Sequence, residues 1–445
     1  MCFQLLVTKA NMTNIWHLLL FCAGLAAVTA YTRPGLTGPF CGAIPNRCCQ
    51  GRQDGCSAPI KDSLCYCDDF CDRGSRDDCC PDFFEVCRHQ VITPPPAPLI
   101  IACENNKKFY EPGDKITRGC NVCVCHHDPT TERTYFLCDT DPCIMSDEVL
   151  RGVASDSYST WRPYNYTQFY GKKLKDGLVY KLGTFLSNKV RSSTVPLPAH
   201  KEGVYSPKSF DAKQAWPEYI SPVVDQEWCG SDWAITVATV ASDRFAIQSN
   251  GAEKVVLSPQ HLLSCNKEQQ SCRGGYIDTA WNYAMLYGLV DEECSPYKAM
   301  MTRCKFSKER DLVEEGCRPV VPARTSKYKV GPLYRIKNEA DIMYEIMTSG
   351  PVHAVMTVYQ DFFHYRDGIY RRSRYGDNYL NGLHSVRIIG WGEDRGDKYW
   401  IIANSWGCNW GENGYFRIAR GVNESGIESF VVAAWSEVTE AYKRT

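Results

Sequence analysis

Chemistry is concentrated in the stretch Gln226-Glu227-Trp228-Cys229-Gly230-Ser231-Asp232-Trp233-Ala234, where amide, thiol, hydroxyl and carboxylate side chains crowd together. Asp232 suits the first turn of a helix, because a carboxylate is stabilised at the positive end of the helix dipole. As a nucleophile toward a peptide bond it is far weaker than a thiolate, and it would have to expel an amine. Carboxylate nucleophiles serve phosphoryl and glycosyl groups instead. An aspartic-protease mechanism needs two carboxylates sharing one proton, and Glu227 is the only acidic neighbour in this stretch. Three other groups carry chemistry. Cys123, Cys125, His126 and His127 have the ligand types of a zinc site. Arg395-Gly396-Asp397 is an integrin-type tripeptide where a hairpin turn is expected, although Gly and Asp are also ordinary turn residues. Asn165-Tyr166-Thr167 and Asn423-Glu424-Ser425 are N-glycosylation acceptors if the chain is exported.

The elements that position these groups follow from spacing. Residues 236–249 read as a helix, with Val237, Val240, Ala241, Phe245 and Ile247 apolar. Alternating apolar residues around Val386 and Ile401 suit strands. At 445 residues, the chain suggests roughly two to four domains. Lys plus Arg (50) balances Asp plus Glu (51), so no basic field favours nucleic acid or an anionic membrane. The 25 cysteines point to an oxidising compartment. Lys9, the apolar run 15–28 and Val28-Thr29-Ala30 read as a signal peptide over 1–30, and no later segment suits a membrane span. Secretion to the extracellular space is therefore expected.

The ten cysteines of residues 31–91 and their scarce aliphatics imply a core made of cross-links. Thr93-Pro94-Pro95-Pro96-Ala97-Pro98 marks a stiff linker over 92–99. Residues 100–144 form a second module with Cys103, Cys120, Cys123, Cys125, Cys138 and Cys143. Six cysteines make three disulfides with none left over, so no metal, and no other cofactor, is expected. Cysteines then vanish over 145–196, and residues 197–445 hold the chemical stretch and seven cysteines. One of the seven is unpaired or pairs outside the domain, and Cys408 is the one expected.

Several motifs carry resemblances. Cys65-Tyr66-Cys67, Cys71, Cys79-Cys80 and Cys87, preceded by Cys49 and Cys56, resemble a somatomedin-B module, with Cys41 and Cys48 additional. The Cys-x-x-Cys-x-Cys run at 120–125 loosely resembles a von Willebrand C repeat. Trp161, Tyr164-Asn165, Phe169-Tyr170 and Leu182-Gly183-Thr184 resemble a cathepsin B-like propeptide, with cleavage near Arg191-Ser192 left open. The Gln226–Ala234 stretch resembles a papain-type active site, as do Leu257-Ser258-Pro259-Gln260, Cys272-Arg273-Gly274-Gly275, Gly350-Pro351, His384 through Gly392 and Asn404-Ser405-Trp406-Gly407. The resemblance implies an α+β, two-lobed papain-like fold, a helical lobe beside a β-barrel lobe. It also implies roles: Gln226 at the oxyanion hole, Asp232 at the nucleophile position, His384 as general base, Asn404 as its orienting amide and Trp406 as their shield. It further implies a Cys229–Cys272 disulfide and an apolar pocket at Phe430.

Asp232 stands where that family carries its catalytic cysteine, and Ser231 and Cys229 offer no convincing substitute. The segment Cys294–Cys317 holds no histidine, so the paired-histidine loop of cathepsin B-like exopeptidases is absent. No enzyme is expected. The combination of modules with a replaced nucleophile resembles the tubulointerstitial nephritis antigen family, as an invertebrate-type member, although members usually carry serine at this position. The resemblance implies a secreted interaction protein binding matrix or cell-surface proteins, integrin among them, or carrying a signalling protein such as a Wnt-type ligand. The alternatives are a weak residual peptidase and a decoy binding protease substrates or inhibitors. Asp232→Cys is expected to restore some endopeptidase activity.

Overall fold

The computed structural model describes residues 38–45, 48–61, 63–72, 78–89, 102–187, 195–196, 206–318, 320–322, 324–377 and 379–439. The expected signal peptide, the Pro-rich linker and the Arg191-Ser192 bond lie outside them. The chain divides into two compact units, one within residues 6–100 and one from residue 101 onward.

The first unit is held by cross-links. Its described cysteines pair as Cys41–Cys67, Cys48–Cys87, Cys49–Cys56, Cys65–Cys80 and Cys71–Cys79. A hairpin (Ser57–Ile60 with Ser63–Tyr66) and a short helix (Phe83–Arg88) contribute Ala58, Ile60 and Phe83 to a core otherwise made of half-cystines.

The second unit begins with a short hairpin, Cys103–Asn105 with Lys108–Tyr110, followed by a three-stranded antiparallel sheet, Lys115–Arg118, Asn121–Asp128 and Arg133–Cys138. Disulfides Cys103–Cys125, Cys120–Cys143 and Cys123–Cys138 staple it. Cys123 and Cys125 are thereby consumed, and the zinc geometry weighed for them is gone. Helix α1 (Asp147–Ser155) is capped by Ser146, whose Oγ accepts from the Val149 amide. Strand β1 (Trp161–Pro163), helix α2 (Leu174–Tyr180) and strand β2 (Thr184–Phe185) follow. Val149, Val153, Trp161, Phe169, Leu174 and Leu182 from this segment sit in the same buried cluster as Trp391, Trp400, Trp406 and Trp410. Residues 144–187 are therefore built into the main core.

Helix α3 (Asp232–Gln248) runs through the middle of the other large cluster and is buried on every side. It begins four residues before the helix expected from periodicity. Its first turn is too buried to show an amphipathic pattern, and Asp232 there complements the dipole. Arg244 fixes it through Glu345 at 3.0 Å, Tyr334 at 2.6 Å and the Pro351 carbonyl at 2.8 Å. Helices α4 (Pro259–Cys265) and α5 (Ile277–Tyr287) pack beside it, the latter preceded by the short strand β3 (Gly275–Tyr276).

The second lobe is a ten-stranded sheet among the described residues. It contains β4 (Tyr334–Ile336), β5 (Val352–Tyr359), β6 (Tyr365–Tyr370), β7 (Asn381–Asp394), β8 (Asp397–Ala403), β9 (Tyr415–Ala419) and β10 (Val431–Ala433). Its path runs β4-β10-β5-β7-β8-β9-β6-β1, with Val195–Pro196 beside β4 and Phe210–Asp211 against β7. Helix α6 (Glu339–Ser349) covers one part of it. The β7–β8 hairpin closes at Asp394↔Asp397, with Arg395 (φ 52°) and Gly396 (φ 90°) both left-handed. That conformation matches a two-residue type I′ turn. Among the described residues, no helix is long and apolar enough to cross a membrane.

Candidate functional site

The two lobes bring Gln226, Asp232, His384 and Asn404 together in one buried cluster. All four lie beneath the surface, Asn404 at 4 % exposure and the others at 0 %. The N-terminus of α3 supplies Asp232, β7 supplies His384, and the turn after β8 supplies Asn404. His384 Nε2 lies 2.7 Å from Asn404 Oδ1, and the Ser405 amide donates to the same oxygen at 2.8 Å, which identifies it as the acceptor. His384 Nδ1 faces Asp232 Oδ2 at 3.1 Å. Both ring nitrogens thus face oxygen atoms, one of Asp232 and one of Asn404. Trp406 lies over the His384 ring with centroids 5.2 Å apart and stacks on Phe363.

Asp232 accepts four hydrogen bonds. Oδ1 receives the Gly183 amide at 2.7 Å; Oδ2 receives the Thr184 hydroxyl at 2.6 Å, the Ser385 amide at 2.9 Å and His384. The Gln226 amide nitrogen donates to the carbonyls of Cys229 (2.8 Å), Tyr180 (3.3 Å) and Lys181 (3.4 Å), while its oxygen accepts from Ser405 Oγ at 2.7 Å. The side chain implied for the oxyanion hole is thus spent on the chain's own backbone. Strand β2 pairs in parallel with β3, and the Gly275 amide donates to the Gly183 carbonyl at 2.8 Å. Ser187 Oγ donates to Asp278 at 2.7 Å.

The protons behind this contact run one way. Trp281 Nε1 donates to His353 Nδ1 at 3.2 Å, so His353 Nε2 carries the proton and donates to Ser385 Oγ at 2.9 Å. Burial pushes His353 down to about 3, which keeps it neutral. Ser385 Oγ then donates to Thr184 Oγ1 at 2.6 Å, and Thr184 donates to Asp232. Sequence reasoning found the four central residues but missed Gly183, Thr184, His353 and Ser385. The sequence places them far from Asp232, and the singled-out runs Leu182-Gly183-Thr184 and His384 through Gly392, the latter containing Ser385, offered a signal.

The remaining expected residues are placed as follows. Cys229 and Cys272 are bonded, with Cα atoms 4.5 Å apart, and Cys265–Cys304 and Cys294–Cys317 pair in the same lobe. Cys408, the cysteine expected to be unpaired or to pair outside the domain, is disulfide-bonded. Phe430 is 5 % exposed and packs in the α3 cluster with the Arg335 guanidinium against its ring. Arg395 projects from the hairpin tip, while Asp397 is paired with Arg371 at 3.1 Å. Asn423 is exposed in left-handed backbone and donates to Ser429 Oγ at 2.8 Å. Asn165 is half-buried, with its Oδ1 unpartnered among the described residues.

Residues 206–435 match the papain family cysteine protease model. The tubulointerstitial nephritis antigen-like protein of Homo sapiens is 38 % identical over 424 residues, covering 88 % of this chain and 87 % of that one. The tubulointerstitial nephritis antigen of Homo sapiens is 38 % identical over 442 residues, covering 93 % and 90 %. Among solved structures, procathepsin B S9 from Trypanosoma congolense aligns with a TM-score of 0.56 at 28 % identity, over 66 % of this chain and 99 % of that one. The chain thus belongs to the papain family of cysteine proteases, within the tubulointerstitial nephritis antigen group.

Proposed function

We propose that this protein is a secreted, non-catalytic member of the papain family that works in the extracellular space by binding matrix or cell-surface proteins. The observation that carries the reading is the state of Asp232. Both oxygens of the residue at the nucleophile position are engaged by the chain's own donors at 0 % exposure, so neither is open to an outside substrate. The eleven disulfides among the described residues support an oxidising compartment. In this reading residues 1–30 are removed on export, 31–91 and 100–144 are binding modules, and Asn165 and Asn423 carry glycans. The β7–β8 tip offers Arg395-Gly396-Asp397 to an integrin-type receptor, since a hairpin turn is an accessible place for recognition.

The test uses the full-length secreted protein. Cathepsin peptide substrates are expected to remain uncleaved and an epoxide active-site probe to leave no label, while cells adhere to the immobilised protein and adhere less to Asp397→Ala. Robust hydrolysis that Asp232→Ala abolishes would replace this reading by the peptidase one.

A further inference from the structure

Away from the central cluster, the segment that follows β6 is rich in guanidinium groups: Arg371, Arg372 and Arg374 fall within four residues. All three line one cavity of about 330 Å³, whose wall also carries Tyr158, Trp161 and Tyr375. Among the described residues lining it, Asp156 is the only carboxylate. The frame is fixed. Strand β1 pairs with β6, Thr160 Oγ1 donates to the Ile369 carbonyl at 2.6 Å, and Trp161 Nε1 donates to the Arg371 carbonyl at 2.9 Å. The Ser373 amide donates to the buried Asp361 carboxylate at 2.7 Å, and the Arg372 amide to Glu424 at 3.2 Å. The backbone therefore presents the three arginines in advance, which lowers the ordering cost of binding.

Their present ion pairs are exchangeable. Arg371 meets Asp397 at 3.1 Å and Arg374 meets Asp156 at 3.8 Å, with the two arginine side chains 38 % and 77 % exposed. Pairs held in water are weak and yield to a better-placed anion. Arg372 lies over the Tyr359 ring at 3.5 Å, which holds it in place. Planar guanidinium groups suit the oxygens of a sulfate or carboxylate. The aromatic wall adds a preference for an anion borne on a ring, and Tyr158 offers a ring face that is 92 % exposed. The neighbouring charges decide between one anion and many. Asp156, Asp397 and Glu424 all touch this arginine segment, so a long sulfated chain would run onto carboxylates, whereas a single terminal group would not.

We propose that this cavity binds a sulfotyrosine side chain of an extracellular protein partner, with the sulfate on the arginines and the ring against Tyr158 and Tyr375. The choice of ligand rests on the extracellular reading, because tyrosine sulfate is carried by exported proteins. The cavity itself involves neither the nucleophile position nor the β7–β8 tip as a receptor motif.

The experiment is a calorimetric titration of the full-length secreted protein with the end-blocked pentapeptide Ala-Ala-Tyr-Ala-Ala, sulfated on its tyrosine or not. The sulfated peptide is expected to bind at least roughly tenfold more tightly, with the advantage shrinking as salt is raised. Arg374→Gln should weaken its binding roughly tenfold and Tyr158→Ala roughly threefold. Both side chains are exposed, so the melting temperatures should not move. The proposal is overturned if the sulfated peptide shows no measurable binding, if the two peptides bind equally, or if Arg374→Gln binds the sulfated one like the wild type. It is also overturned if a heparin hexasaccharide binds more tightly than the peptide and loses affinity in the same variants, which would mark a polysaccharide site. A failed adhesion test would leave these titrations standing, and failed titrations would leave the adhesion reading standing.

Discussion

Asp232 joins three parts of the chain through one carboxylate, accepting from Gly183 and Thr184, from Ser385 and from His384. Its carboxylate suits the first turn of α3 and faces His384 Nδ1 at 3.1 Å. That much follows from residue type and local spacing, as do Gln226 and Asn404, whose positions the surrounding motifs mark. The contact with Gly183 and Thr184 does not follow, because nothing local to position 232 encodes a partner some fifty residues earlier in the chain. The Gly183 contact also changes the expected outcome of restoring the thiol. Asp232→Cys alone should remain unlabelled by an epoxide probe, because Gly183 still lies over the position. Asp232→Cys combined with Gly183→Val should take up label at least tenfold faster, on the reasoning that access then becomes limiting. Equal labelling of the two would show that Gly183 leaves the position readily.

At the level of elements, the periodic signal reached two strands but missed the start of the central helix. Strands β7 and β8 lie where the apolar alternation around Val386 and Ile401 put them. The start of α3 was hidden, because residues buried on all sides carry no helical stripe. Helix α1 depends on an interaction the sequence could not reveal. His364 Nε2 accepts from the amide of its cap, Ser146, at 3.1 Å, and Nδ1–H donates to the Tyr164 carbonyl at 3.2 Å. Burial pushes His364 down to about 4, so between there and the ordinary histidine value near 6.5 the folded protein binds fewer protons than the unfolded chain. Its contribution is fully present above about 6.5 and is lost as pH falls through about 4. The sum is on the order of 3 kcal/mol. Asp361, raised to about 6 by burial, works in the opposite sense and is common to any comparison made at His364. Melting wild type and His364→Asn between pH 7 and 4 should therefore show the wild type falling more steeply. Parallel curves would remove this account.

Over the whole molecule, the two units rest on different physics. The first has a core made largely of half-cystines with Ala58, Ile60 and Phe83, too little apolar surface to fold unaided. The second buries two large clusters rich in Trp, Phe, Ile and Val, in which half-cystines are a minority. A thiol reductant under native conditions should unfold the first unit while leaving helix-derived circular dichroism and exchange protection in α3 largely intact. Simultaneous loss of both would contradict that division. The cysteine density was legible in the sequence, but the pairing was not, because ten cysteines permit many connectivities and spacing alone does not choose.

The close approach of Gly183 to the Gly230 carbonyl, where an added Cβ would stand 2.0 Å from the oxygen, limits what a single substitution can do. Placing a thiol at position 232 would forfeit the four-donor acceptor while the space above it stayed occupied by Gly183. Clearing the space first would strand Asp232 with buried donors and nothing to cut with. Neither change is favourable alone. The geometry at Gly183 thus couples two positions far apart in the chain, because an open thiol at position 232 needs coincident changes at both.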